Sequence, residues 1–369
     1  TPREEMQPKV TLMPVPDTIV RQEQAHVTTS VPLLDSVGTT TTTTTATDML
    51  RIAVMLPLYA SHPQREASVS RFADFYAGVM LAVQVIQQTG QHLEIYVYDT
   101  EKNDYTIRQL IQSGALDPMD AILGPTYPAQ VASLSAFVQE KHIPTLIPFT
   151  NEVEAIDNNP YLLQFNPTSK QEAQALVNHL QTLGDSINCV LIDANTADIP
   201  HSIQDIHAAL ATTQVPCTHT NIHRILADSL AYDLKAGVEN VIVFNTEKYA
   251  NLQVLLPYIK ALKEQFSIRI LSRYSWQKEN IPFPQIYTSV FDTETASDLT
   301  DYETMWDTYF GYPHAATLPR YDLLGYDLMR QLIAHLQGKE YIGLQSYIRL
   351  EPVTENGGLQ NTEIHVIRR

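Results

Sequence analysis

The sequence predicts an α/β protein of two doubly wound parallel-sheet lobes, preceded by a disordered Thr/Pro-rich tether. Three observations predict this class. Apolar strand patterns alternate with amphipathic helix patterns from residue 49, and a second such series begins after Tyr161. At 369 residues the chain is too long for one ordinary core. Residues 1–48 show neither the helix nor the strand period of apolar residues, and they carry an unbroken threonine run from Thr39 to Thr45.

The tether is predicted to remain unfolded because it cannot bury enough apolar surface. We interpret residues 1–48 as a linker between the globular part and a region upstream. The first lobe is predicted over residues 49–162 and 286–337. The second is predicted over residues 163–285 and 338–369, including a closing β-hairpin with Gly357 and Gly358 in its loop.

A strand–helix–strand unit at residues 121–151 organises the predicted ligand site. Its strands, residues 121–123 and 145–147, end in loops that carry Thr126 and Thr150. Such units are almost always right-handed with parallel strands, so the two loops should lie side by side. Open α/β sheets bind ligands at this carboxyl edge. Pro128 suits the first position of the intervening helix, whose free N–H groups would attract an anion.

Other strands end in polar residues that should face the same gap. Tyr59 follows the first strand, and Asn195, Glu247 and Arg273 follow strands of the second series. These positions are typical of ligand contacts, although capping of helices and turns is the alternative. The full candidate ligand-binding set is Tyr59, Thr126, Tyr127, Phe149, Thr150, Asn151, Asn195, Glu247 and Arg273.

Composition and motifs exclude several classes of function. A formal net charge of −17 argues against nucleic acid or an anionic membrane as partner. No apolar run approaches the roughly 20 residues of a membrane span. The phosphate loop G-x-x-x-x-G-K-[ST], the nucleophile elbow G-x-S-x-G and the zinc motif H-E-x-x-H are all absent from the sequence. We therefore predict a binding protein without catalytic activity or cofactor.

The two cysteines begin neighbouring predicted strands. Cys189 and Cys217 would meet across a parallel pair, where a disulfide is possible in an exported protein. Two buried free thiols are the alternative. Cys217, His219 and His223 have a zinc-like spacing, but an extended strand would spread them, and we predict no metal site.

The order of these motifs resembles the type I periplasmic solute-binding fold of branched-chain amino acid receptors of ABC transporters. The resemblance covers about residues 50–368 and is carried by RIAVMLPL, AILGPTYP with PTLIPFTN, and PRYDLLGYDLMRQLI. It implies two lobes with three crossings, near Tyr161, Gln285 and Gln337, and hinge closure around a ligand in the cleft. A branch of lipoproteins whose lobes follow peptidoglycan-binding LysM repeats is more similar still. That layout implies export to the periplasm or an outer-membrane anchor in a Gram-negative-like cell.

The cleft loops depart from those of the amino acid receptors. Pro128 and Ala129 replace expected hydroxyl residues, bulky Phe149 stands in the second loop, and Asn195 to Ala197 replaces a Tyr-Gly pair. Two hypotheses follow. The cleft binds a small polar or amino-acid-like ligand, with Glu247 as a partner for its ammonium group. Alternatively, a degenerate cleft belongs to a cell-wall scaffold or regulator that binds a protein, as in lipoprotein activators of peptidoglycan synthases.

Overall fold

The computed structural model describes residues 25–27, 49–62, 67–193, 199–226, 229–292 and 299–369. These residues form two sheets with helices on both faces, which confirms the predicted fold class. The strands are β1 (Ala25–Val27), β2 (Leu50–Leu56), β3 (Leu93–Asp99), β4 (Ala121–Leu123), β5 (Thr145–Ile147), β6 (Leu162–Gln164), β7 (Ile187–Asp193), β8 (Cys217–Asn221), β9 (Glu239–Phe244), β10 (Ser267–Leu271), β11 (Gln285–Ser289), β12 (Leu350–Pro352), β13 (Leu359–Asn361) and β14 (His365–Arg368).

The helices cover both faces of each sheet. They are α1 (Ala67–Gln88), α2 (Asp104–Gln112), α3 (Pro128–Lys141), α4 (Ser169–Thr182), α5 (His201–Ala211), α6 (Ile222–Leu226), α7 (Tyr249–Gln253), α8 (Leu256–Lys260), α9 (Thr300–Phe310) and α10 (Tyr321–Leu336). Short 3-10 helices occur at Glu154–Asn158, Gly184–Ser186, Leu230–Tyr232, Ala261–Glu264 and Tyr274–Trp276.

The first sheet has the strand order β1-β3-β2-β4-β5-β6-β13-β12. Strand β2, in the interior of this sheet, is apolar at successive positions because helices cover both sides. Ile52, Val54 and Leu56 pack in the cluster formed with α1 and α10. Ala53 and Met55 point the other way, into the cluster formed with α2 and α3. The alternation of side chains along a strand thus joins two helix layers to one sheet.

Helices α1 and α10 pack against each other through two glycines. A Cβ at Gly78 would lie 1.7 Å from the carbonyl oxygen of Asp322, and one at Gly325 would lie 1.9 Å from that of Phe75. No larger residue fits either position unless the backbones separate. Within the described part of the chain, Val69–Gln88 is the one helical stretch long and apolar enough to span a membrane, but 56% of the window tested is buried in the protein. Its packing is that of a core helix.

The second sheet has the order β14-β11-β10-β9-β7-β8. All its pairs are parallel except β11 with β14, which is antiparallel. One face packs against α4 and α5, and the other packs against α6, α7 and α8. The predicted second doubly wound lobe is therefore present.

The chain crosses between the sheets close to two of the three predicted places, near Tyr161 and Gln285, but not at the third, near Gln337. Among the described residues, it leaves one sheet for the other after Gln164, after Ser289 and after Asn361. The segment predicted to close the second lobe instead returns to the first sheet, where β13 pairs in parallel with β6. Residues 285–289, at the predicted lobe boundary, belong to the second sheet. A hydrophobic pattern identifies a strand but not the distant strand with which it pairs.

One strand lies within the segment predicted to lack structure. Ala25–Val27 pairs antiparallel with β3, with Ala25 opposite Val97 and Val27 opposite Ile95. These three residues are thus paired with the first sheet within the segment predicted to be a tether. Three residues are too few to show a strand period, so pairing with the edge of β3 is not visible in the sequence.

Candidate functional site

An interlobe cavity of about 380 Å³ lies where the carboxyl ends of the two sheets face each other. Phe149 and Asn151, which follow β5, line it from the first lobe. Glu172, Tyr274 and Thr288 line it from the second. The cavity is therefore shared by both lobes. It lies at the carboxyl edges of the sheets, where the sequence predicts the cleft.

A second cavity, of about 290 Å³, extends into the second lobe and shares Glu172, Tyr274 and Thr288 with the first. Its wall is rich in hydroxyl groups. Besides that of Tyr274, these are contributed by Ser169, Ser202, Thr246, Ser272, Ser275 and Thr288. Phe244 and Trp276 add aromatic surface. Such a mixture of hydroxyl, charged and aromatic groups is typical of sites for small polar ligands.

Helix α4 places Glu172 at the junction of the two cavities. The helix begins with a capping box in which Thr168 accepts a hydrogen bond from the Gln171 N–H at 3.2 Å. The Gln171 side chain accepts one in return from the Thr168 N–H at 2.9 Å. This reciprocal pairing fixes the first turn, and Glu172 is the next residue. Its carboxyl group therefore lies at the start of α4, on the cleft side.

Glu172 is the most perturbed carboxyl group in this region. Burial raises its pKa to about 7, opposed by the charge of Arg273 and by a hydrogen bond from the Thr288 hydroxyl, while the charge of Glu247 raises it further. A carboxyl group that titrates near neutral pH in a cavity is a functional-site candidate. A cationic ligand would favour its charged form.

Arg273 and Glu247 form an ion pair beside Glu172. Arg273 Nη2 lies 2.8 Å from Glu247 Oε1 and donates a hydrogen bond of 2.6 Å to Ser202 Oγ. Ser202 Oγ also donates to Glu247. These contacts join the start of α5 to the loops after β9 and β10. Two carboxyl groups and one guanidinium thus lie together. When both carboxyl groups are ionised, the group has a net charge of −1, which one further positive charge would balance.

The first-lobe wall is dominated by Phe149. Its ring lies 5.3 Å from that of Phe72, 5.1 Å from Phe75 and 6.2 Å from Tyr321. The neighbouring Thr150 is buried, and its hydroxyl donates to the Glu152 carbonyl at 3.3 Å. This side of the cavity therefore offers apolar surface rather than a cluster of hydroxyl groups.

The loop before α3 has the predicted placement. Strands β4 and β5 are parallel neighbours, with Leu123 opposite Leu146, so Thr126 and Thr150 follow the same sheet edge. Pro128 is the first residue of α3, and Tyr127 precedes it without a side-chain cap. Within the described residues, the buried Thr126 hydroxyl has no hydrogen-bond partner.

Tyr59 lies in a loop held by Asp99. The Asp99 carboxylate accepts hydrogen bonds from the N–H groups of Leu58 at 2.9 Å, Tyr59 at 3.0 Å and Ala60 at 2.7 Å. Tyr59 adopts a left-handed backbone with φ 48°. Asp99 thus stabilises the turn after β2.

The structure brings some predicted site residues together and adds others. Phe149 and Asn151 line the interlobe cavity, whereas Glu247 and Arg273 belong to the second-lobe cluster. Asn195 lies outside the described residues. Sequence reasoning missed Glu172, Ser202, Tyr274 and Thr288, although the capping pattern before Glu172 is readable in the sequence. Among the described residues, no group of three or more His, Cys, Asp or Glu side chains is arranged to hold a metal ion.

Comparison with known proteins identifies structural neighbours. No protein-family model and no curated protein matches the sequence. A substrate-binding protein of an ABC transporter from Desulfitobacterium hafniense, solved with Leu, has 14% identity and a TM-score of 0.58 over 87% of this chain and 98% of that chain. A branched-chain amino acid ABC transporter protein from Rhodospirillum rubrum has 14% identity and a TM-score of 0.64 over 86% and 96%.

A third neighbour is the C-domain of LpoA from Haemophilus influenzae, described as a regulator of PBP1A. It has 15% identity and a TM-score of 0.53 over 86% of this chain and 99% of that domain. The neighbours thus include transporter-associated binding proteins and a regulatory domain on one architecture. From its two sheets, its interlobe cavity and these similarities, the chain has the type I periplasmic-binding-protein fold.

Proposed function

We propose that this is a non-enzymatic binding protein that takes a small, amino-acid-like ligand with a protonated amine in the interlobe cleft. The observation that carries the proposal is the position of Glu172. Its carboxyl group lines both cavities, and Glu172, Glu247 and Arg273 together carry one more negative than positive charge when ionised. An ammonium group beside Glu172 would balance that charge.

The rest of the ligand has complementary surfaces on both lobes. Phe149 supplies apolar contact from the first lobe, and the Asn151 side chain lies beside it. Ser202 and Thr288 offer hydroxyl groups on the second-lobe side. A ligand that touches both walls would favour closure of the lobes, because contacts made only in the closed state stabilise that state.

We further propose that the protein is exported and works in the periplasm or at the outer membrane. The fold similarity to transporter substrate-binding proteins supports export, and the Thr/Pro-rich composition of residues 1–48 fits a tether. Peptidoglycan association through a region upstream of Thr1 fits the same arrangement.

A thermal-shift screen with matched ligands tests the proposal. Amino acids and short peptides, including muropeptides, would be compared with their N-acetylated forms, which lack the positive charge. Binding to the folded state raises the melting temperature, by an amount that grows with ligand concentration. We expect shifts from free amines and their loss on acetylation. Shifts that survive acetylation, or none across the screen, would contradict the proposal.

A second candidate function is a regulator of cell-wall synthesis that binds a protein partner. Two features favour it. Phe149 packs among three aromatic rings at a loop position where the resemblance to the amino acid receptors implies a small residue. The fold is shared with a domain described as a regulator of PBP1A. Biolayer interferometry with purified PBP1A from the same cell tests it. Saturable binding, with no ligand found in the screen, would favour this function.

A further inference from the structure

The two cysteines of the chain lie directly opposite each other on neighbouring strands. Cys189 on β7 pairs with Cys217 on β8 in the parallel register. Register partners in a sheet project to the same face. On that face Cys189 packs with Ile203 and Ile206 of α5. The expectation of two buried free thiols is wrong for one of them, because Cys189 is buried whereas Cys217 is exposed.

The geometry of the pair is compatible with a covalent bond. Neighbouring strands lie about 4.8 Å apart, within the range of about 4.4–6.8 Å between the Cα atoms of bridged cysteines. The two thiol groups are close enough that each shifts the pKa of the other. Little movement of the backbone is needed to bring the sulfurs together.

The two thiols differ in reactivity. The hydrogen bond from Cys189 lowers the pKa of the Cys217 thiol, and this bond together with burial raises the pKa of Cys189. The exposed Cys217 is therefore the group that meets an oxidant from solution, and its thiolate is the nucleophile. The buried Cys189 is placed to react second.

We propose that Cys189 and Cys217 form a reversible disulfide that fastens the outer strand β8 to the second sheet. The Cys217 thiolate attacks one sulfur of a low-molecular-weight disulfide such as oxidised glutathione, whose S–S bond breaks and releases one glutathione thiolate. The Cys189 sulfur then attacks Cys217 in the mixed disulfide. The second glutathione leaves and takes up the Cys189 proton, so two protein thiols are oxidised and one oxidant molecule is reduced to two thiols.

The bond would constrain the segment that bears on the cleft. It closes a loop that contains all of α5, whose second residue, Ser202, contacts Arg273 and Glu247. Strand β8 is the outermost strand of its sheet and pairs there with β7. Oxidation therefore stabilises both the exposed edge of the second lobe and the placement of Ser202.

The test treats the full chain with oxidised glutathione and counts free thiols after unfolding. We expect the count to fall from two to zero, the intact mass to drop by two hydrogen atoms, and the melting temperature to rise by about 5 °C. Reductant should reverse all three changes. Two remaining thiols, or a glutathione adduct retained on Cys217, would overturn the proposal.

Two variants keep the test decisive. Cys217→Ser changes an exposed residue and should fold, keep one thiol and show no rise in melting temperature on oxidation. The double variant Cys217→Ser with Thr218→Cys moves the thiol to the opposite face of β8, because successive side chains alternate. It should form no intramolecular bond. Closure in this variant would show that the register pairing is not responsible.

Discussion

Arg273 Nη2 and Glu247 Oε1 lie 2.8 Å apart at the second-lobe wall of the cleft. Because the Arg273 guanidinium is paired with Glu247, it does not neutralise Glu172. Arg273 lowers the pKa of Glu172 without outweighing the effect of burial. The site therefore has a carboxyl group that is poised between its neutral and charged forms at neutral pH. A ligand with a positive charge would therefore be favoured in the cleft, because it would stabilise the charged form of Glu172.

Glu172 makes stability depend on pH in a defined direction. Its pKa is about 7 in the folded protein and 4.5 in the reference state, so the folded state binds more protons between these values. Stability from this group therefore falls as pH rises from about 4.5 to about 7, by up to roughly 3 kcal/mol. Urea unfolding of the parent and Glu172→Gln across this range should show the variant gaining relative stability. Parallel pH profiles would contradict the assignment, and the exposed Glu264→Gln is the control.

Phe149 should contribute to stability through its aromatic contacts. Phe149→Ala removes a half-buried ring from the group formed with Phe72, Phe75 and Tyr321. We expect a loss of about 2 kcal/mol in the free energy of unfolding, less than for a fully buried ring. Phe149→Leu keeps most of the apolar volume and should lose less. Equal stability of Phe149→Ala and the parent would show that the ring is not packed as described.

Gly78 should tolerate no side chain. Gly78→Ala would place a methyl group 1.7 Å from the Asp322 carbonyl oxygen, so α1 and α10 would have to separate. We expect a loss of at least about 3 kcal/mol, or failure to fold, despite the higher helix propensity of alanine. Gln88→Ala, at the exposed end of α1, should change stability little. Denaturant unfolding with circular dichroism detects both outcomes, and a stabilised Gly78→Ala would contradict the helix packing.

Asp327 should fix the segment after α10. Its buried carboxylate accepts hydrogen bonds from the N–H groups of Leu344 at 2.7 Å, Gln345 at 3.0 Å and Ser346 at 2.9 Å, and from the Tyr341 hydroxyl at 2.9 Å. Asp327→Asn should cost about 3 kcal/mol or more, because its NH₂ group would face N–H donors. Tyr341→Phe removes one donor and should cost about 1.5 kcal/mol. Equal losses in the two variants would refute this account.

The local pattern predicted much of the fold. The strands Ala121–Leu123 and Thr145–Ile147 match the predicted bounds residue for residue. By contrast, residues 249–264 do not form one continuous helix but are divided into α7, α8 and a 3-10 turn. Pro257 explains the break, because it has no N–H for the hydrogen bond to the preceding turn.

Long-range pairing and site composition were less predictable. The predicted hairpin with Gly357 and Gly358 in its loop is present as β12 and β13, but it belongs to the first sheet, because β13 pairs with β6. The last strand, β14, pairs instead with β11 of the second sheet. Thr126 and Thr150 follow neighbouring strands as predicted. Glu172 reaches the cleft from a helix, whereas the predicted site residues all lie in loops that follow strands.

Isothermal titration of the tightest-binding amine from the screen, into the parent and Glu172→Gln at pH 8, tests the central claim most directly. The account predicts that the variant binds at least about tenfold more weakly, since it loses a charge-assisted hydrogen bond worth about 1.5–3 kcal/mol. Glu264→Gln should bind like the parent. Equal affinity of the parent and Glu172→Gln would contradict the account and place the ligand away from this carboxyl group.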